Sequence, residues 1–113
     1  MPVKTESLAL YVKVIHDFPD AAGVLVESEQ RTSWPDQGFE VVRDVRIFRF
    51  ENGARIAQII EQDDFPSELA CAECWISYEV LSAPDSGISV DPPKKTFDNH
   101  CRESFWLAYH TAP

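Results

Sequence analysis

The stretch from Phe39 to Gln62 constrains this chain most. It reads Phe-Glu-Val-Val-Arg-Asp-Val-Arg-Ile-Phe-Arg-Phe, then Glu-Asn-Gly-Ala, then Arg-Ile-Ala-Gln-Ile-Ile-Glu-Gln. Two runs rich in β-branched and aromatic residues flank Asn52-Gly53. That dipeptide readily takes the positive φ angles of a type I′ turn, so the segment predicts a β-hairpin. Arg43, Arg46 and Arg49 recur at a helical interval, but the Asn-Gly break and the dominance of Val, Ile and Phe argue against a helix. The first arm is apolar at both parities, with Val45 and Ile47 alternating with Phe48 and Phe50. Either both faces of this strand are covered or a bulge shifts the alternation.

The flanking segments read mostly as short strands. Ser7 to His16 is dense in β-branched residues and predicts a strand with Leu8, Leu10, Val12 and Val14 on one face. Asp17 to Asp20 is a turn. Gly23 to Gln30 fits a strand or a short helix capped by Asp20, and Arg31 to Gly38 reads as a loop. Glu61 to Glu68 is an acidic linker, followed by a helical turn over Ser67 to Glu73. Trp75 to Leu81 predicts a strand with Ile76, Tyr78 and Val80 inward. Ser82 to Lys95, with Pro84, Gly87, Pro92 and Pro93, reads as a surface loop. Cys101 to His110 completes the series as a strand with Phe105, Leu107 and Tyr109 inward. The expected fold is therefore a mainly β single domain over residues 1–113: a small antiparallel sandwich or open barrel of five to six strands. The alternative is an α+β domain with one short helix on an antiparallel sheet.

A chain of 113 residues with 44% hydrophobic content can build a core without disulfides or metals. Its formal charge of −9 repels phosphate, so direct nucleic-acid binding is not expected. A partner protein with a basic surface fits that charge better. No run approaches a membrane span. The first residues lack the basic start and apolar core of a signal peptide. Three cysteines form no disulfide framework, and a reducing cytoplasm is the simplest compartment.

Chemistry-bearing motifs are sparse. Cys71-Ala-Glu-Cys74 has a metal-chelating spacing, and His100-Cys101 is the only close pair that could complete a zinc site. No conventional second chelating pair exists, so no metal or other cofactor is expected. Glu68 and Glu73 flank the thiols and oppose the thiolate that redox chemistry needs. Nucleophile elbows, Walker loops and dinucleotide-binding glycine motifs are absent from the sequence.

Two surface groups remain. The acids Glu61, Asp63, Asp64 and Glu68, with Trp34 in its Pro-bearing segment, are the candidate partner-binding residues, since exposed indoles anchor interfaces. Arg43, Arg49 and Arg55 form a secondary, anion-binding candidate, although interleaved carboxylates would neutralise much of their field. Charge without a catalytic motif points to a non-enzymatic interaction module: an inhibitor, an antitoxin-like partner or an assembly component. A β-barrel that binds a small ligand is the next reading. An enzyme built on a His and a carboxylate is the third.

Overall fold

The computed structural model describes residues 4–63, 73–85 and 87–111. The elements are β1 (Thr5–Ser7), α1 (Leu8–Asp17), β2 (Val24–Asp36), β3 (Phe39–Phe50), β4 (Arg55–Asp63), β5 (Glu73–Ser82), β6 (Ser89–Asp91), β7 (Lys94–Asn99) and α2 (His100–Thr111). The fold is mainly β. Strands β2, β3, β4, β5 and β7 make one antiparallel sheet in that spatial order, and β1 pairs with β6 in parallel.

Directly opposed residues in an antiparallel ladder share a face. On the inner face, Val26, Phe48, Ile56 and Val80 form one row, and Ile60, Ile76 and Phe97 another. These side chains join Leu8, Tyr11, Val12 and Ile15 of α1 in a single core, with Trp106 and Leu107 of α2 packed against it. Both helices therefore close the same face of the sheet. Each large apolar side chain fully buried there contributes about 1.5–3 kcal/mol, and Phe48, Leu8, Ile56 and Ile76 are among the largest.

The two helices replace the expected first and last strands. In α1 the buried residues Leu8, Tyr11, Val12 and Ile15 follow helical spacing, while Leu10 is 47% exposed. Ser7 caps the helix, its hydroxyl accepting from the Ala9 N–H at 3.2 Å. Burial of one helical stripe overrides the β-branched bias of Val12, Val14 and Ile15. At α2, Asn99 Oδ1 accepts from the Arg102 N–H at 2.8 Å and starts the helix. Phe105 and Tyr109, expected inward, are exposed, and Glu103 is the buried residue.

The turns also exchange roles. Segment 31–38 is not a loop: β2 continues to Asp36, tolerating Pro35 because β2 is an edge strand. The turn with two positive φ angles is Gln37-Gly38, at 51° and 85°, the signature of type I′. At 51–54 only Gly53 is left-handed, at φ 90°. Gly53 N–H donates to Phe50 O at 3.0 Å, and Phe50 N–H donates to Ala54 O at 2.9 Å. This is a three-residue loop with a glycine bulge. Asn52 instead uses its side chain: Oδ1 accepts from the Ala54 N–H at 3.1 Å, and Nδ2 donates to the Tyr11 hydroxyl at 2.9 Å. The hairpin is thereby tied to α1. The segment expected as a surface loop over 82–95 contains β6 and the start of β7. Of the expected helical turn over Ser67 to Glu73, residues 67–72 lie outside the described residues, and Glu73 opens β5.

A side chain at position 53 meets two obstacles. Its φ is unfavourable for any L-residue, and the Asp85 carboxylate occupies the space a Cβ would need. Gly53→Val is expected to destabilise the protein by about 1 kcal/mol or more. An unchanged urea midpoint would show that the loop does not need this conformation.

Candidate functional site

The outer face of the sheet collects most of the described candidates. Reading across the ladder, Trp34 lies opposite Val41, which lies opposite Asp63. In the next row Thr32, Arg43, Glu61 and Trp75 face one another in turn. Val45 and Ile59 form the following row, then Ile47 and Ala57, and finally Arg49 and Arg55. The described outer-face residues Val41, Val45, Ile47 and Ile59 lie outside the buried core and its packed margin. Trp34 is 38% exposed and Trp75 48%. The two-sided apolar character of β3 thus has a plain cause: one side feeds the core, and the other forms an apolar strip that no described helix covers. The bulge lies in β2, between Val26 and Ser28, and not in β3.

Charge frames this strip. Arg49 stands directly across from Arg55, an arrangement that costs energy unless countered. Glu27 counters half of it, its Oε2 accepting from Arg55 Nε at 2.7 Å. Arg43 faces Glu61, so the acid closest to Trp75 has a cation beside it in the ladder. Glu61, Asp63 and Trp34 are brought together at the far end of the sheet. Asp64 and Glu68 lie outside the described residues.

The inner face carries a polar row that sequence reading missed. Glu29, Arg46, Gln58, Tyr78 and Lys95 align across the sheet. Arg46 donates to Gln58 Oε1 through Nη2 at 2.7 Å and Nε at 3.1 Å. Gln58 Nε2 donates to the Tyr78 hydroxyl at 3.1 Å, and that hydroxyl donates to Glu103 Oε2 at 2.6 Å. His16 Nε2 lies 3.3 Å from Glu103 Oε1, and His100 Nδ1 lies 4.0 Å from the same oxygen. Glu103 is only 2% exposed. Burial pushes its carboxyl up, but the His16 and Tyr78 hydrogen bonds outweigh that and hold it below the usual carboxylate value. Contact with Glu103 raises His16. Burial, and then the Glu103 charge, raise Tyr78. The pairing of a His and a carboxylate resembles an acid–base site, but both Glu103 oxygens are held by partners from α1 and β5. The arrangement pins two helices to a sheet. The available signal was Asn99 as an N-cap residue, which accepts from the Arg102 N–H three positions on, and a strand assignment hid it.

The cysteine group separates. Cys74 is a free, buried thiol, raised by burial and then by the Glu103 charge. Cys101 is disulfide-bonded, and its partner lies outside the described residues, as does Cys71. A disulfide sulfur is no thiolate ligand, so a zinc site at Cys71, Cys74, His100 and Cys101 would first need reduction. Among the described residues no group of three or more His, Cys, Asp or Glu is placed to hold a metal ion. No described helix is long and apolar enough to cross a membrane. Comparison with protein-family models, curated proteins and solved structures returned no match.

Two outcomes follow from these geometries. The raised His16 stabilises fully below its unfolded value of 6.5 and loses that contribution as pH climbs through its folded value. The lowered Glu103 stabilises fully above 4.5 and loses its contribution as pH falls through its folded value. Both are complete between pH 4.5 and 6.5, so denaturant titrations across pH should show their joint contribution peaking there. In Glu103→Gln the His16 part of the decline above that window should vanish. Separately, elemental analysis of purified protein should find less than stoichiometric zinc. One zinc per chain, lost in Cys71→Ser/Cys74→Ser, would reverse that reading.

Proposed function

We propose that this protein is a non-enzymatic protein-binding module that docks its partner on the outer face of the sheet. The observation that carries the reading is the strip of Trp34, Val41, Val45, Ile47 and Ile59, left without a described layer while two helices close the opposite face. Trp34 is exposed and Val41, Val45, Ile47 and Ile59 are half-buried; apolar surface rimmed by charge is characteristic of interaction sites. The indoles of Trp34 and Trp75 supply the large, stiff side chains that dominate interface energetics.

The partner carries a basic surface overall. A net charge of −9 accelerates encounter with such a surface and disfavours nucleic acid. Glu61 and Asp63 at the far end of β4 are the acids placed to meet it, next to Trp34. No cofactor enters this reading. The cytoplasmic assignment from the cysteine count meets an opposing observation in the disulfide at Cys101, a bond favoured by oxidising compartments.

The test begins with capture of the partner from host lysate and measurement of its association with purified protein. Trp34→Ala/Val41→Ser should weaken binding roughly tenfold or more, about 1.4 kcal/mol, with the circular dichroism spectrum unchanged. Association should slow as salt rises, since screening acts over about 8–10 Å. It should slow further in Glu61→Gln/Asp63→Asn. A partner indifferent to the apolar pair binds elsewhere, and one indifferent to salt and to both acids is not steered by charge.

A further inference from the structure

The charges of the outer face are sorted along its strands. The row of Val45 and Ile59 sits at the middle. Four residues along β3 in one direction stands Arg49, with Arg55 opposite it. Four residues in the other direction stands Val41, with Asp63 opposite it. The edge strand β2 extends both rows with apolar side chains. Leu25 lies opposite Arg49, and Trp34 lies opposite Val41. Leu25 is 53% exposed and Trp34 38%. Two rows thus stand at equal distances from the centre, one with cations and a leucine, the other with an acid and an indole.

That arrangement is complementary to itself. A two-fold axis across the strands, through Val45 and Ile59, lays the outer face of a second copy on the first. β2 then covers β2, β3 covers β3 and β4 covers β4, with the strand ends exchanged. Val45 and Ile59 meet their own counterparts. The Asp63 end of each copy meets the Arg49 and Arg55 end of the other, and Trp34 meets Leu25. Sheets packed face to face keep their strand directions within about 30°, so each row stays near its counterpart. An isologous contact makes every such interaction twice.

Charge and area both suit this occupant. Arg49 has no ion-pair partner among the described residues. Arg43, Arg55 and Lys94 each have an acid beside them, at Glu61, Glu27 and Glu79. Most of the net charge of −9 that would hold two copies apart therefore lies off this face. Five strands about 4.8 Å apart, over the span from Val41 to Arg49 at about 3.4 Å per residue, give a footprint of about 650 Å². A standard interface takes roughly 600–1,000 Å² from each partner.

We infer that the outer face closes on a second copy of this chain, forming a two-fold, face-to-face dimer that covers the apolar strip in the absence of the basic partner. This rests on the reading of the outer face as a docking surface and adds its resting state. The Arg49 and Arg55 end of the copy stands where the partner's basic surface would stand.

Sedimentation equilibrium of the purified full chain tests it, and a reversible dimer is expected. Trp34→Ala/Val41→Ser should dimerise more weakly. Arg49 and Asp63 are exposed, so their charges can be reversed without touching the core. Arg49→Asp alone and Asp63→Arg alone should each weaken the dimer about tenfold or more, because like charges then face each other twice. An equimolar mixture of the two variants should regain the wild-type affinity, since each reversed residue then meets its opposite, and that recovery also shows both variants to be folded. A monomeric wild-type chain would overturn the inference. So would a mixture no tighter than its components, or a Trp34→Ala/Val41→Ser dimer as tight as the wild type. A monomer whose captured partner still depends on Trp34 and Val41 would sink the dimer alone, whereas a partner indifferent to that pair removes the docking reading itself.

Discussion

One buried carboxylate organises this fold. Glu103 arrives on α2, and its oxygens are met by Tyr78 from β5 and His16 from α1. A charge this deep is tolerated only when paired and hydrogen-bonded. The pairing demands that both helices and the central strands be in place together. Gln58 and Arg46 extend the demand across the sheet, since the Tyr78 hydroxyl also accepts from Gln58. An apolar core alone would let α1 and α2 slide along the sheet. A polar row with fixed partners gives them one position, and that position leaves the opposite face of the sheet free for other contacts.

What the sequence disclosed follows period and turn chemistry. The β3–β4 hairpin, the inward set Ile76, Tyr78 and Val80, and the opposite sides taken by Arg43 and Arg46 were all readable, because strand alternation is strict. The helices were not. Val12, Val14 and Ile15 carry strand propensity, and Phe105, Leu107 and Tyr109 alternate as a strand would. Tertiary burial of Leu8, Tyr11, Val12 and Ile15 decides for a helix in the first case, and the Asn99 cap, the packing of Trp106 and Leu107 and the partners of Glu103 do so in the second. Asn52-Gly53 marked a turn correctly and its type wrongly, because the asparagine is held by Tyr11 and not by its own φ angle.

The candidate site was legible in its chemistry more than in its position. Trp34, Glu61 and Asp63 stand far apart in the sequence, and only the register of β2, β3 and β4 lines them up. The apolar residues between them were visible as a strand with no polar side. Sequence alone offered two explanations for that pattern, a second covering layer or a bulge in the strand, and among the described residues neither holds: the core lies on one side and the other face is left open. The His and carboxylate pair is the converse case. His16 and Glu103 lie 87 positions apart by number, and nothing local announces that they meet.

That separation has a consequence for synthesis. The meander from β2 to β5 assembles by successive hairpins, so its contacts form between neighbours as the chain emerges. α1 precedes that meander and α2 follows it, yet each holds the other in place. Until α2 leaves the ribosome, Tyr78 has no acceptor at Glu103 and His16 has no counter-ion there. The early product is thus a sheet with α1 loosely seated and a wetted polar row across its inner side. A stalled chain lacking α2 would carry that row and its neighbouring Phe48 and Ile76 partly uncovered, and would be a substrate for chaperones or proteases in a way the finished protein is not.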